Sequence, residues 1–334
     1  MKKKGLLLIS SGLDSLLSLY ISKLELGIEV IAYHLKHPFH SDKSKFIKYH
    51  CKKLNVPLII DYPDSKFLEI IKKPLHGYGK GINPCRDCRI YTFTKAKKKM
   101  RELGCDFIIT GEVVGQRPMT QIKNYMFFIE KKAELKGLIL RPLCGKVLPP
   151  TIMEKKGIVD KNKLYDITGR SRKKQLELTK KFGIEDFSTP SGGCLLTDRN
   201  FSLRIKDLIL NDELTYPNIN LLKIGRHFRL DKGIKLIIGR NKIENKILID
   251  RKKPRYLHIK ILSIPSPDGL IVFNKKFPSK KHFELSMKIL SSYIKKHENL
   301  RFVITNYKDK KIFAGKITHY KQSFEKLRNN YIIL

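Results

Sequence analysis

The sequence has little acidic charge and no long apolar run. It carries 31 aspartate and glutamate residues against 69 lysine and arginine residues, a formal net charge of +38. No apolar run approaches the ~18 residues of a membrane-spanning helix, so we expect no membrane partner. Residues 1–10 resemble the start of a signal peptide, but Ser10, Ser11, Gly12 and Asp14 interrupt the apolar stretch and no cleavage pattern follows. We therefore expect a cytoplasmic protein.

Cysteine is also scarce. Six cysteines in 334 residues are too few for a disulfide framework, so their spacing is better interpreted as metal or redox chemistry. Internal repeats and low-complexity segments are absent from the sequence as well. The hydrophobic content of 41% is enough for a core and excludes wholesale disorder, and the length predicts two or three domains.

The excess of basic residues predicts a nucleic-acid partner. A strongly positive protein attracts a phosphate backbone and gains free energy from the counterions that it releases. An AT-rich genome would explain frequent lysine, but it does not explain the shortage of aspartate and glutamate. The charge therefore favours a nucleic acid over a small substrate.

Strand and helix patterns alternate along the first part of the chain. Strands are predicted at 5–9, 28–35, 56–62 and 105–111, and helices at 16–24, 43–54 and 92–103. This alternation predicts an α/β fold with a doubly wound parallel sheet. We place the domains at 1–145 (the sheet), 146–218 (a basic helical and loop region) and 219–334 (a smaller α+β domain).

The first predicted strand leads into a loop of small polar residues. Ser10, Ser11, Gly12, Asp14 and Ser15 stand between this strand and a helix. Small residues let the backbone close around a phosphate, and a helix N-terminus adds N–H donors. Serine hydroxyls would donate to the phosphates, and Asp14 would lie near Mg²⁺ or orient the loop. The alternative is an ordinary turn whose Ser and Asp cap the helix.

Three cysteines lie in contexts that favour metal binding. Cys85 and Cys88 form a C-x-x-C pair in a predicted loop, and Cys194 follows two glycines. Thiolates are both metal ligands and nucleophiles, and a helix N-terminus with Arg86 and Arg89 predicts lowered thiol pKa values. Three thiols predict either a [4Fe-4S] cluster with one open iron or a zinc ion with a fourth ligand. The alternative is three unrelated thiols.

The other cysteines lack such contexts. Cys51 falls in a predicted helix and Cys105 just before a predicted strand, so both are expected in the core. Cys144 is left open between a core and a functional position.

A basic segment in the middle region is a candidate RNA contact. Arg170, Arg172, Lys173 and Lys174 cluster at the predicted start of a helix. Cations at a helix N-terminus interact unfavourably with the helix dipole, and a bound phosphate would offset that cost. A solvated basic face is the alternative. Separately, Gly111 follows the fourth predicted strand, where ligands bind in open α/β sheets.

Together these motifs carry a resemblance to a known family. The Ser-Ser-Gly-Leu-Asp-Ser loop resembles the pyrophosphate (PP) loop of the ATP pyrophosphatases, with Ser11 where that superfamily usually has its first glycine. With the Asn-Pro-x-x-x-Cys, strand-Thr-Gly, Ser-Arg-Lys-Lys-Gln and Gly-x-Cys motifs, residues 5–200 resemble the tRNA 2-thiouridylases. The resemblance implies an adenine nucleotide alpha-hydrolase-like fold. No Gly-Lys-Ser/Thr follows, so the loop differs from a Walker A loop.

The resemblance also implies roles for the motif residues. It makes Gly111 a nucleotide contact, the basic segment a tRNA contact, and Cys88 and Cys194 the catalytic pair. Cys85 stands where the cysteine-only branch carries aspartate, so the chain resembles the cluster-dependent branch, with Cys85, Cys88 and Cys194 as ligands of a [4Fe-4S] centre. ATP and Mg²⁺ are the implied nucleotide and ion, and a small sulfide or a persulfide-carrying protein is the implied sulfur donor.

The C-terminal part carries a shorter resemblance. The Gly-Arg-Asn signature in 237–248 resembles the RNA-binding module of ribosome quality-control proteins (the NFACT-R type). Residues 251–256 are basic and end in tyrosine, a mixture that suits backbone contact and base stacking. A solvated turn is the alternative.

These features predict an ATP-dependent tRNA-uridine sulfurtransferase. The enzyme would adenylate a uracil carbonyl oxygen and replace it by sulfur, and the motifs do not separate C2 from C4. Two alternatives stay open: a non-catalytic RNA-binding factor with a vestigial nucleotide fold, and a PP-loop enzyme that adenylates a small molecule.

Overall fold

The chain forms two compact units, Met1–Thr197 and Asp198–Leu334. The computed structural model describes residues 3–187, 193–294, 299–318 and 321–333. The boundary between the units falls inside the region 146–218, so the division into three domains stays a prediction. Within the described residues, no helix is both long and apolar enough to cross a membrane.

The N-terminal unit is built on a five-stranded parallel sheet. Its strands, in the order β3-β2-β1-β4-β5, are β1 Lys4–Leu8, β2 Glu29–Leu35, β3 Leu58–Asp61, β4 Phe107–Thr110 and β5 Ile139–Leu140. All neighbouring strands pair in parallel. The central strand β1 is apolar on both faces, and Leu6 and Leu7 are fully buried, as expected when helices cover both sides of a sheet.

The strand order shows where on the sheet the predicted ligand-binding edge lies. From β1 the chain adds β2 and then β3 on one side of the sheet. It then crosses to the other side of β1 and adds β4 and β5, so the strand order reverses between β1 and β4. Open α/β sheets bind ligands at such a point, beyond the carboxyl ends of the strands. The predicted α/β doubly wound fold is confirmed.

Three helices of this unit, Ser65–Lys72, Lys123–Lys132 and Ile152–Lys155, were not predicted, and the others differ from prediction in their bounds. They are α1 Leu13–Tyr20, α2 Ser44–Lys53, α3 Ser65–Lys72, α4 Cys85–Glu102, α5 Lys123–Lys132, α6 Ile152–Lys155 and α7 Lys173–Lys181. The predicted start of α4 at residue 92 is wrong, because its first turn is polar and shows no apolar period. The helix predicted to start in the basic segment 170–174 is α7, and a short 3₁₀ turn at Lys161–Lys163 precedes it.

The C-terminal unit is an antiparallel sheet with helices, which confirms the predicted α+β class. Its helices are α8 Arg199–Leu210, α9 Tyr216–Leu221, α10 Lys242–Ile249, α11 Lys280–Ser291 and α12 Lys321–Tyr331. Its strands are β6 Arg226–Asp231, β7 Ile234–Ile238, β8 Tyr256–Ile261, β9 Gly269–Phe273, β10 Asn299–Asn306, β11 Lys311–Thr318 and β12 Ile332–Ile333. The sheet order is β11-β10-β8-β9-β7-β6-β12. Phe228 and Phe302 lie in its core beside residues of α11.

Leu7→Ala should lower the free energy of unfolding of the N-terminal unit by about 2–5 kcal/mol, because it leaves a cavity in the central strand. Leu24→Ala is the matched control, since Leu24 is 56% exposed whereas Leu7 is 0% exposed. Urea denaturation followed by circular dichroism measures both. Equal effects of the two substitutions would contradict the burial of β1.

Candidate functional site

The loop after β1 leads into the N-terminus of α1, which is uncapped. Gly12 is the N-cap of this helix and no side chain caps it. The Ser15 hydroxyl instead donates to the carbonyls of Ser10 and Gly12, each at 2.9 Å, and accepts from Ser10 N–H at 3.0 Å. The serines therefore fix the shape of the loop, and the capping alternative does not apply to α1. Unpaired N–H groups at such a helix start suit an anion.

Gly111 brings the end of β4 against this helix start. A Cβ at Gly111 would lie 2.4 Å from the Ser15 nitrogen and 2.5 Å from the Asp14 carbonyl carbon and oxygen. Only glycine fits this approach without displacing the backbone of α1. Its position is therefore explained by packing, and its contact with a nucleotide stays a prediction.

Helix α7 carries the predicted tRNA-contact segment to the same loop. Gln175 is fully buried, and its amide N–H donates to the Asp14 carboxylate at 3.4 Å. Just before it, Lys173 and Lys174 are exposed, and Lys174 pairs with Asp166 at 2.7 Å. Basic side chains therefore stand beside the predicted nucleotide loop.

Arg170 and Arg172 complete the predicted basic segment. Arg170 is exposed and Arg172 is half-buried at the N-cap of α7. Among the described residues neither arginine is ion-paired. Their role in tRNA binding stays a prediction, but their charges are available to a phosphate.

The C-x-x-C pair lies in the first turn of α4, not in a loop as predicted. Pro84 is the N-cap, and Cys85 is the first residue of the helix. The Asn83 side-chain N–H donates to the Cys85 Sγ at 3.1 Å, so the Asn-Pro motif contacts a thiol directly. Cys85 and Cys88 therefore lie about one helical turn apart.

The segment that contains Cys194 is hydrogen-bonded to this region. Ile82 N–H donates to the Leu196 carbonyl at 3.1 Å, and Leu195 N–H donates to the Phe39 carbonyl at 3.0 Å. Pro190, Ser191 and Gly192 of the predicted loop lie outside the described residues. The backbone just after Cys194 is thus hydrogen-bonded to the loop after β2 and to the segment that leads into α4.

The three thiols interact electrostatically. Burial raises the pKa of Cys88 to about 12, and the thiols of Cys194 and Cys85 act in the same direction. Burial likewise raises the pKa of Cys194 to about 11, again with Cys85 contributing. The prediction that the helix start and the arginines lower the pKa is wrong for Cys88, because burial outweighs the opposing effect of Arg89.

The donor set suits a metal centre by its chemistry. Three thiols in one neighbourhood are soft ligands for iron or zinc, and an N–H bond such as that from Asn83 tunes cluster sulfurs. Among the residues that the structure describes, no group of three or more histidine, cysteine, aspartate or glutamate side chains is arranged to hold one metal ion. Metal binding by Cys85, Cys88 and Cys194 therefore stays a prediction and requires these side chains to turn toward one another.

The remaining cysteines are core residues. Cys51 and Cys105 are buried, which fits the prediction made for both. Cys144 is fully buried and its thiol donates to the Glu112 carbonyl at 3.1 Å. Burial raises the pKa of Cys144 to about 11, so it lies in the core too.

A buried charge network lies beside the thiols and was missed in the sequence. Glu112 accepts from Arg89 and from Arg141, each at 2.9 Å, and Arg141 also contacts Glu130 at 2.5 Å. Glu112, Glu130 and Arg141 are each at least 95% buried. Glu112 follows the Thr-Gly motif, but no local spacing indicates its cationic partners, which come from α4 and from the residue after β5.

The end of β2 and the loop after it contact both the loop after β1 and the segment that contains Cys194. His34 donates a ring N–H to the Ile9 carbonyl at 2.9 Å, and Phe39 accepts from Leu195 as described. Burial lowers the pKa of His37 to about 3, so this ring is neutral. Its Nδ1 is buried and has no hydrogen-bond partner among the described residues.

This fold and loop define an α/β protein of the PP-loop type. Residues 1–177 match the family described as thiamine biosynthesis protein (ThiI), and the chain belongs to this family. Residues 225–332 match the family described as NFACT protein RNA binding domain. Both resemblances predicted from the sequence are confirmed.

Two curated relatives are named tRNA-specific 2-thiouridylase MnmA. The protein from Helicobacter hepaticus is 30% identical over 129 residues, which cover 36% of this chain and 37% of the relative. The protein from Lawsonia intracellularis is 34% identical over 113 residues, which cover 32% of each chain. The chain thus spans about a third of the length of the curated relatives that it matches.

Two solved structures are also similar. One is the U34-tRNA thiolase NcsA from Methanococcus maripaludis with its [4Fe-4S] cluster, at 17% identity and a TM-score of 0.35, with 66% of this chain and 71% of that chain covered. The other is the C-terminal part of the fibronectin/fibrinogen-binding protein from Streptococcus suis, at 10% identity and a TM-score of 0.26, with 78% and 93% covered.

Glu112→Gln should destabilise the N-terminal unit by about 3–5 kcal/mol, because Arg141 would stay buried with one carboxylate fewer. Burial alone would raise the pKa of Glu112, but Arg89 and Arg141 hold it below the ordinary value of 4.5. Its contribution is therefore complete above about pH 4.5 and is lost as the pH falls through the lower folded pKa. Urea denaturation between pH 7 and pH 3 measures both effects.

Glu134→Gln is the control for this prediction. Glu134 also pairs with a cation, Lys97, but its side chain is 81% exposed. We expect no measurable change in the denaturation midpoint at pH 7. A Glu112→Gln variant as stable as this control would show that the buried network does not support the fold.

Proposed function

We propose that the chain is an ATP-dependent tRNA-uridine sulfurtransferase. The observation that carries the proposal is the hydrogen bonding of the Cys194 segment to the start of α4, in the unit that also holds the PP loop. A reaction that uses both a nucleotide and sulfur requires these groups together. The ThiI family match and the 2-thiouridylase relatives support the same assignment.

ATP is assigned to the loop between β1 and α1. The uncapped N-terminus of α1 and the hydroxyls of Ser10 and Ser11 would donate to the phosphates, and Ser15 would keep the loop in shape. The Asp14 carboxylate, oriented by Gln175, would hold Mg²⁺ against them. Gly111 lets the neighbouring strand end approach this site closely.

The chemistry has two steps. A uracil carbonyl oxygen attacks the α-phosphorus of ATP, and pyrophosphate leaves with the P–O bond electrons. The base must be turned out of its stack to reach the phosphate. A sulfur nucleophile then attacks the activated carbon, and AMP leaves with the former carbonyl oxygen. Cationic side chains near the loop would stabilise the charge that develops on the phosphates.

Cys85, Cys88 and Cys194 are assigned as the groups that handle sulfur. As ligands of a [4Fe-4S] cluster they would leave one iron without a protein ligand, and the bound cluster would supply the site for the transferred sulfur. Zinc on the same thiols is the competing metal. Asn83 would orient Cys85, and Arg89, held by Glu112, would fix the side of α4 that carries Cys88.

The tRNA would contact basic surface in each unit. In the N-terminal unit Arg170, Arg172, Lys173 and Lys174 are half-buried or exposed beside the nucleotide loop. In the C-terminal unit the match to an RNA-binding domain covers residues 225–332. The net charge of +38 supplies the long-range attraction.

Cys88→Ala and Cys194→Ala should abolish tRNA thiolation and leave tRNA affinity nearly unchanged, because the thiols act on sulfur and carry no positive charge to attract a phosphate. The measurement is mass spectrometry of tRNA nucleosides from a deletion strain that carries each variant. Cys105→Ala is the control, since Cys105 is buried outside the site. If the deletion strain loses no thionucleoside, the proposed function is wrong.

The protein purified without oxygen should be brown, with absorbance near 400 nm and about four irons per chain. Cys85→Ala should lose most of the iron, because two thiols do not retain a cluster that three hold. Elemental analysis of both proteins checks this result. About one zinc and no iron in the wild type would instead identify the competing metal.

A further inference from the structure

The C-terminal unit contains a cavity of about 410 Å³ that no part of the thiolation chemistry uses. It lies among α8, α9, β6, β7, the turn before β8 and the end of β9. Most of its wall is apolar, from residues such as Leu208, Leu222, Ile237 and Val272. Its volume falls in the range of small-molecule sites.

One wall of the cavity contains a buried hydrogen-bond acceptor, the His227 Nδ1, to which none of the described residues donates. His227 lines the cavity and is 0% exposed. Its Nε2–H donates to the Ile224 carbonyl at 2.8 Å, so its Nδ1 carries a lone pair, and this atom has no partner among the described residues. Burial and the nearby cations of Lys235 and Arg204 lower the pKa of His227, which keeps the ring neutral. A group that reaches this atom from the cavity must therefore donate a hydrogen bond.

The rim of the cavity is basic and held in place. Lys253 and Arg255 line the cavity and are exposed. Arg255 donates to the Asn274 side-chain oxygen at 2.9 Å, and Tyr256 N–H donates to the Lys253 carbonyl at 2.9 Å. Two cations on a tight turn beside an apolar opening present a site for a phosphate.

The carboxylates of the lining do not cancel this charge. Glu213 is ion-paired with Arg229 at 2.8 Å, so its charge is neutralised. Lys235, also in the lining, is buried and paired with Asp207 at 3.0 Å. The lining therefore contains two exposed cations, Lys253 and Arg255, and one exposed carboxylate, that of Asp212.

We propose that this cavity binds a single nucleotide, with the base inside against His227 and the phosphate on Lys253 and Arg255. The base must offer an N–H to the His227 Nδ1, which all four unmodified RNA bases can do. The nucleotide comes either from an unpaired position in RNA or from the free pool. The inference concerns RNA binding by the C-terminal unit and does not require thiolation.

The test uses the full chain, and any monophosphate binding that remains in the rim variant described below is assigned to other sites, such as the PP loop. Three probes are titrated: adenosine 5′-monophosphate, purine riboside 5′-monophosphate, which lacks any base N–H, and a short single-stranded oligoribonucleotide. We expect the wild type to bind adenosine monophosphate at least fivefold more tightly than the purine riboside. The His227→Phe variant should lose this preference.

Charge reversal tests the rim without disturbing the core. Lys253→Glu/Arg255→Glu should weaken nucleotide and oligonucleotide binding at least tenfold. Lys281→Glu/Lys288→Glu is the matched control, because these exposed lysines of α11 carry the same charge outside the cavity. If the wild type binds the monophosphate but not the oligonucleotide, the occupant is a free nucleotide. If the rim variant loses affinity for the oligonucleotide as well, the occupant is a nucleotide of RNA.

Two results would overturn the proposal. One is equal binding of the two monophosphates to the wild type. The other is an equal loss of affinity in both charge-reversal variants, which would leave only non-specific attraction to phosphate. Thermal denaturation of His227→Phe verifies its folding, and the rim variants give an independent answer if it fails to fold. Because no readout involves sulfur, failure of the thiolation proposal would leave this test intact.

Discussion

The approach of β4 to α1 is the contact on which the N-terminal site depends. The backbone of Gly111 lies so close to Asp14 and Ser15 that there is no room for a Cβ. This contact fixes the helix start relative to the sheet at the point where the strand order reverses. The Ser15 hydroxyl can then maintain the geometry of the loop and leave N–H groups of the helix for a ligand.

A second constraint positions the thiols relative to that loop. Glu112 follows Gly111 directly and binds Arg89, which is the residue after Cys88. The strand end that packs on α1 therefore also holds the first turns of α4. Arg141 and Glu130 complete the network and keep its charges compensated in the core. Burying these charges costs free energy, and the fold tolerates that cost only when each charge keeps its partner. The positions of the network residues at this edge of the sheet therefore depend on one another.

Most of the fold was predictable, and much of the site was not. The apolar runs around β1, β2 and β4 identified a parallel sheet because strands buried on both faces leave a strong pattern. The start of α4 was missed because Cys85 to Cys88 carry no apolar period, and Glu112 was missed because its partners come from distant segments. The proximity of Cys194 to the start of α4 could be proposed only through the family resemblance, since no local pattern encodes contacts across about a hundred residues.

The shortage of acidic residues has a structural consequence. Buried cations such as Arg141, Arg229 and Lys235 each have carboxylate partners. With 31 acidic residues for 69 basic ones, the acids committed to the interior are not available to neutralise the surface. The positive surplus is therefore concentrated where a polyanion can reach it, as at Arg170 and Lys253. Interior pairing and surface excess together explain how so basic a chain folds and still presents a surface suited to RNA.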